Sequence, residues 1–98
     1  MSNVNLVITA TVNPSEKEAL AFYLEEVGKL YQKVGAKPVS KYKFTQTLIG
    51  DYTPSLTSIM SFQSIDSLNQ VFESKEYKEI LPYREKAFSK LEAYISEG

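Results

Sequence analysis

The hydrophobic pattern of this chain changes period several times, and the order of those changes restricts the folds open to it. Residues 4–12 alternate apolar and polar side chains as a strand does, and residues 14–34 repeat apolar residues at helical spacing. Residues 39–49 and 56–62 alternate again, and the turn-forming stretch Gly50–Ser55 separates them. We therefore predict a strand, a helix and an antiparallel hairpin, in that order.

Capping residues predict where the helices begin. Asn13 followed by Pro14 is typical of an N-cap and a first helical residue. Ser64 and Ser74 predict the starts of two further short helices, because a serine hydroxyl accepts a hydrogen bond from an early backbone N–H group. Pro82 is expected to break or kink the second of these helices.

The stretch after Arg84 fits two interpretations. Its apolar residues follow a helical stripe, but Leu91, Ala93 and Ile95 also alternate as a strand does. A strand completes the order β-α-β-β-α-β, whereas a helix leaves a three-stranded sheet. We predict the strand, and with it an α+β fold of ferredoxin-like type, in which helices cover one face of a four-stranded antiparallel sheet.

The second face of such a sheet also carries β-branched and aromatic residues, which are too apolar to be left wholly in water. A chain of 98 residues without cysteine has a small core and no disulfide to support it. We therefore predict that residues 1–98 form one domain, and that two copies pair sheet to sheet as a homodimer.

Composition excludes several kinds of function. Without histidine or cysteine the chain has no His-based triad, no His general base and no proximal-His haem ligand, and a transition-metal site would have to be carboxylate-rich. The net charge of -1 offers little attraction for nucleic acid or for an anionic membrane. With no spanning run and no basic signal region, we expect a cytoplasmic protein without metal, cofactor, nucleic-acid or membrane partner.

Short motifs are spread over nearly the whole chain: Gly50-Asp51-Tyr52, Phe62, Ser64, Ser74-Lys75-Glu76-Tyr77, Arg84 and Glu97-Gly98. Together they resemble the dimeric α+β barrel superfamily of small ferredoxin-like proteins, and within it a small bacterial family whose function is not established. Gly35-Ala36-Lys37-Pro38 departs from the Gly-Gly pair that is usual there.

The resemblance implies a strand at the C-terminus. It also implies distant kinship with cofactor-free monooxygenases of the antibiotic-biosynthesis type, with small isomerases and with proteins that have no known activity. Fold alone therefore does not assign the function. The haem-degrading branch uses a histidine ligand, which this chain does not have.

Arg84 and Tyr77 are the predicted catalytic residues. In a cavity between helices and sheet, the Arg84 fork would bind a carboxylate or an enolate, and Tyr77 would donate a hydrogen bond. The alternatives, which the sequence favours, are an ion pair of Arg84 with Glu73 or Glu76 and a structural anchoring role for the tyrosine.

Five further residues are candidate ligand contacts: Tyr23, Tyr42, Phe44, Ser58 and Tyr83. Tyr42 and Phe44 can instead fill the subunit interface, and Tyr23 can belong to the core. Lysines interleave with these two aromatic residues as in nucleic-acid-binding sheets, but a second basic patch is lacking.

Two hypotheses remain open from the sequence. The first is a cavity that binds a small, mainly apolar organic molecule. If the protein is an enzyme, the expected reaction in this cavity is oxygenation or isomerisation without a cofactor. The second is a non-enzymatic ligand-binding or interaction module.

Overall fold

Strands and helices follow one another in the predicted order in a computed structural model of the protein, which describes residues 3–97. The elements are β1 (Val4–Val12), α1 (Lys17–Lys33), β2 (Lys37–Lys43), β3 (Leu56–Phe62), α2 (Ile65–Phe72), α3 (Lys75–Ala87) and β4 (Phe88–Glu97). The strands form one antiparallel sheet in the order β2-β3-β1-β4. This ferredoxin-like α+β arrangement confirms the predicted fold class and the strand at the C-terminus.

One face of the sheet packs against all three helices, and we call it the helix-side face. Val4 and Leu6 of β1 lie on it, and antiparallel pairing places Phe62 of β3 opposite Val4. Phe62 is fully buried. The helices complete this core with Tyr23, Val27, Leu30, Leu68, Val71, Tyr77 and Ile80.

The opposite face of the sheet, which we call the open face, carries the residues that alternate with this core. Val7 of β1 lies there, paired with Ile59 of β3 and with Tyr94 of β4. Val7 and Ile59 are half-buried, and 54% of Tyr94 is exposed. The open face therefore keeps apolar surface that the described helices do not cover.

An extra residue in β2 shifts its register against β3. Pro38 pairs with Met60, but Ser40 pairs with Ile59, the next residue along β3. Val39 is therefore the extra residue of a β-bulge, which bends a strand and moves the residues after it by one position.

The bulge decides which side chains of β2 face the helices. Beyond it, Lys41 pairs with Ser58 on the helix-side face, whereas Tyr42 pairs with Thr57 on the open face. Because alternate side chains point to opposite faces of a strand, the two sets would exchange places without the extra residue. Lys43 follows Lys41 onto the helix-side face.

The connection between β2 and β3 is longer than predicted. β2 ends at Lys43 instead of continuing through Ile49, so residues 44–55 form a loop. Leu48 and Ile49 in this loop are 94% and 91% exposed. Residues 44–49 therefore alternate in sequence but do not form a strand.

Two predicted helix starts are confirmed by their capping hydrogen bonds. The hydroxyl of Ser64 accepts from the backbone N–H of Ser67 at 3.1 Å, and the hydroxyl of Ser74 accepts from that of Tyr77 at 3.0 Å. Each cap removes an unpaired donor from the first turn, which is typically worth about 1 kcal/mol.

Two local predictions need correction. Asn13 is not the N-cap of α1, because its side chain accepts from the N–H of Ser15 in a turn before the helix, and Glu16 takes the capping position without a side-chain hydrogen bond. Of the break or kink expected at Pro82, the break is wrong, since α3 continues past this residue to Ala87, and the kink stays a prediction. Within the described residues, no helix is both long and apolar enough to cross a membrane.

Candidate functional site

A cavity of about 450 Å³ lies between α1 and the helix-side face of the sheet. Small-molecule sites commonly have volumes of about 300–1,000 Å³ and mostly apolar walls. The walls here are mostly aliphatic, and they include Val12, Leu20, Leu24, Leu56, Met60 and Leu91. The space is therefore large enough, and apolar enough, for a small organic molecule.

The cavity forms where the side chains on the helix-side face become small. At one end of the β1–β3 pair, Phe62 lies opposite Val4 and fills the space beneath the helices. Further along the same pair, Ser58 lies opposite Ile8, and Ala10 follows on β1. The side chains of Ser58 and Ala10 are short, so they leave the space under α1 unfilled.

Two lysines line the cavity on the β2 side. Lys41 and Lys43 are both exposed, and so is about half of Leu24 on α1, 47% by area. The gap between α1 and β2 is therefore the side from which solvent reaches the cavity. Among the residues that the structure describes, none that lines this space is acidic. Within residues 3–97, neither lysine has an ion-pair partner.

A chain of hydrogen bonds lies behind the cavity wall. Nη1 of Arg84 donates to the hydroxyl of Tyr77 at 2.9 Å, and this hydroxyl is 3.0 Å from that of Tyr23. Because the Tyr77 oxygen accepts from Arg84, its own proton is available for Tyr23. Tyr23 lines the cavity, so it is the member of this chain that a bound molecule would meet.

Burial controls the protonation of the phenols beside the cavity. Burial is the largest cause that raises the pKa of Tyr23 far above the usual value, and the neighbouring Tyr77 raises it further. Burial likewise raises the pKa of Tyr31, which also lines the cavity, with a smaller contribution from Tyr77. Both phenols are therefore neutral at physiological pH, and they can donate a hydrogen bond but cannot act as phenolate bases.

The structure brings four of the predicted site residues near the cavity. Tyr23 and Ser58 line it, whereas Tyr77 and Arg84 stand behind Tyr23 and do not line it. The ion pair considered for Arg84 is not formed with any carboxylate in the described range. Its guanidinium instead meets Tyr77 and lies 5.8 Å from the centre of that ring.

The other three predicted contacts lie elsewhere. The ring of Tyr83 packs against Phe22 of α1 with 4.4 Å between centroids. Tyr42 lies on the open face, where 59% of it is exposed. Phe44 starts the β2–β3 loop, where its N–H donates to the carbonyl of Ser55 at 3.0 Å. None of the three lines the cavity.

Lys41 and Lys43 are the cavity residues that sequence reasoning missed. Alternation correctly put the two lysines on one face of β2 and Tyr42 on the other. It did not say which of those faces meets the helices, because that depends on the bulge at Val39. Within residues 3–97, no group of three metal-ligating side chains could hold an ion.

The fold and the cavity define a small ferredoxin-like α+β protein with an apolar space under its first helix. The model of the family described as domain of unknown function (DUF1330) matches residues 6–98. The chain therefore belongs to the DUF1330 family, which confirms the resemblance to a family without an established function. No curated protein matches the chain.

Solved structures with the same fold come from several bacteria. A protein of unknown function from Rhodopseudomonas palustris has a TM-score of 0.87 and 19% identity, over 99% of this chain and 82% of that one. A dimeric protein of unknown function with a ferredoxin-like fold from Bacteroides fragilis has a TM-score of 0.68 and 9% identity, over 100% and 98%. A DABB family protein from Mesorhizobium loti has a TM-score of 0.70 and 10% identity, over 97% and 95%. At these identities the similarity establishes the fold alone.

Proposed function

We propose that the protein is a homodimeric small-molecule-binding domain whose cavity holds a mainly apolar organic ligand. The observation that carries this proposal is the space of about 450 Å³ between α1 and the sheet, with apolar walls. Protein interiors are close-packed, and voids larger than a water molecule are few. A space of this size inside a chain of 98 residues is better explained by a ligand than by imperfect packing.

The walls also limit the chemistry of that ligand. Aliphatic side chains supply most of the contacts, and the polar groups among them include the hydroxyls of Ser58 and Tyr23. Removing apolar surface of the ligand from water would provide the main driving force, at roughly 25 cal/mol per Å². The hydroxyls would orient the ligand and contribute less to its affinity.

The dimer is the second part of the proposal, and the open face supports it. Tyr42 and Tyr94 lie there and are 59% and 54% exposed, beside the half-buried Val7 and Ile59. The similar protein from Bacteroides fragilis is described as dimeric. Two open faces packed together would make residues 1–98 one domain of a dimeric α+β barrel. A cytoplasmic location stays a prediction from the sequence.

A catalytic function is the second candidate, and the hydrogen-bonded chain from Arg84 to Tyr23 favours it. The positive guanidinium polarises Tyr77, which in turn makes Tyr23 a better donor toward negative charge on a molecule in the cavity. In such a reaction Tyr23 would touch the substrate, whereas Tyr77 and Arg84 would position and polarise it. The matching class is oxygenation or isomerisation of an enolisable substrate without a cofactor.

The first experiment is native mass spectrometry of the freshly purified full-length protein. We expect twice the mass of the chain, plus an extra mass that is lost on denaturation. A Ser58→Leu variant should lose that mass, because leucine would occupy the cavity, while the matched Ser61→Leu change on the open face of the same strand should keep it. If the mass is retained in Ser58→Leu, the ligand is not in this cavity.

A further inference from the structure

Two positive charges stand at the open side of an otherwise uncharged cavity. Lys41 and Lys43 are alternate residues of β2, so their side chains leave the strand on the same face about 6.6 Å apart. Flexible four-carbon stems allow both ammonium groups to reach one point between them. Those stems can pack along the apolar rim while the charges stay in water.

Within residues 3–97, no carboxylate neutralises these charges locally. The described residues that line the cavity include no aspartate or glutamate. In the described part of the chain, the ion pairs are those of Lys29 with Glu25 and Glu26 on α1. Lys41 and Lys43 therefore keep their attraction for an anion from outside.

Among residues 3–97, the neighbours of these two lysines across the strand pair give them no acidic partner. Their neighbours across the strand pair are Ser58 and Leu56, and the next residue of this row on β3 is Met60. Apolar side chains at positions 41 and 43 would extend the walls of the cavity and would bury more surface. The bulge at Val39 instead turns the lysines to this face and Tyr42 away from it.

We propose that the ligand of this cavity is an anionic amphiphile. Its apolar part lies under α1, and its single anionic group is bound by Lys41 and Lys43 at the gap between α1 and β2. This inference rests on the proposed function, because it requires that the cavity bind a ligand. It adds the class of that ligand and assigns two specificity-determining residues.

Calorimetric titration with three molecules of one chain length tests the proposal: decanoate, decanol and decylammonium. On the full-length protein we expect decanoate to bind at least about tenfold more tightly than decanol, and decylammonium to bind most weakly. Raising the salt concentration should weaken only the binding of decanoate toward that of decanol, because salt screens exposed charges.

Variants separate the lysines from the cavity. The double variant Lys41→Gln/Lys43→Gln should bind decanoate no more tightly than decanol, with the affinity for decanol unchanged. The control Lys37→Gln/Lys78→Gln removes the same number of charges from residues that do not line the cavity, and it should keep the wild-type preference. All four positions are exposed, so the fold should survive each change.

The outcomes distinguish this inference from the proposed function. Equal affinities for decanoate and decanol in the wild type would overturn the anionic preference and leave the cavity proposal standing. A preference for decanoate that survives in the Lys41→Gln/Lys43→Gln variant would also overturn it. If none of the three molecules binds, or if Ser58→Leu binds them all as the wild type does, the cavity proposal and this inference both fail.

Discussion

The two faces of the sheet are built from alternate residues of the same strands, yet they differ in how far their apolar side chains are covered. On the helix-side face, Phe62 of β3 is fully buried, and Ser58 of the same strand lines the cavity. On the open face, Ile59 and Val7 are only half-buried, and Tyr94 is 54% exposed. One face has a packed core and a cavity that opens between α1 and β2, whereas the other has apolar surface without a helix over it.

The difference shows how a chain of 98 residues divides its apolar side chains. Three helices are enough to cover one face of a four-stranded sheet, but they leave a gap where the side chains are short. Covering the second face requires another layer, which a second copy can supply. Stability should therefore depend mainly on the helix-side core, and the proposed dimer mainly on the open face.

The largest expected effect is the loss of Phe62. Phe62→Ala should lower the free energy of unfolding by about 3–5 kcal/mol, because it removes a fully buried ring and leaves a cavity. Tyr94→Ala on the open face is the comparison, and it should cost far less within one subunit. Urea unfolding measures the free energy of unfolding of both variants, at a protein concentration too low for the proposed dimer to form. Equal losses would mean that the two faces do not differ as described.

Assembly should respond to the open face instead. Ile59→Lys places a charge among the apolar residues of that face, and we expect it to weaken self-association by more than tenfold, since an unpaired charge in an interface loses its hydration. Sedimentation velocity over a range of concentrations would detect the shift toward monomer. The control Lys78→Glu on the exposed side of α3 should leave association unchanged. A fully dimeric Ile59→Lys protein would argue against pairing through this face.

Alkaline pH should act through the helix-side face. The folded protein holds the pKa of Tyr23 above the ordinary value of 10.0 because burial disfavours the phenolate. Its contribution to stability is therefore complete below pH 10 and is lost as the pH rises further, by up to about 1.4 kcal/mol per pH unit for each such group. Chemical denaturation between pH 9 and pH 11.5 would show this loss.

The Tyr23→Phe variant identifies the group responsible for that loss. It should have a shallower decline above pH 10, although Tyr31, whose pKa is also raised by burial, keeps part of it. A decline as steep as that of the wild type would mean that Tyr23 is not the group that titrates.

The smallest expected effect sharpens the comparison within the helix-side face. Ser58→Val should raise the free energy of unfolding by about 1 kcal/mol, because valine suits a strand and fills part of the cavity. The same variant should bind decanol more weakly, since the space for it is reduced. Ser61→Val on the open face should leave decanol binding unchanged. Thermal unfolding and calorimetry together would show whether this part of the face is kept underpacked for a ligand.

Most of the fold could be predicted because its signals are local. Alternation marks β1 and β3, and the hydroxyls of Ser64 and Ser74 cap α2 and α3 by contacts within one turn. The strand β4 was chosen because it completes the order, which is information from the whole chain. The prediction that Asn13 is an N-cap was wrong because an asparagine side chain, which can cap a helix, can also close a turn, as Asn13 does with Ser15.

The site could be predicted only in part, because it depends on long-range pairing. Tyr23 and Ser58 line the cavity, because helix and strand periodicity put both on the helix-side face, and their role as ligand contacts stays a prediction. Tyr42 and Lys41 could not be assigned to a face, because a single unpaired residue reverses every later position of β2. That residue is recognisable only in the pairing of β2 with β3.

The bulge at Val39 also limits how this protein can change over generations. Deleting that one residue would turn Lys41 and Lys43 outward and bring Tyr42 under α1. On the roles proposed for the cavity and the open face, a single in-frame deletion would alter the charge preference of the cavity and the chemistry of the subunit contact in one step. Those two proposed properties would then be inherited together at this position.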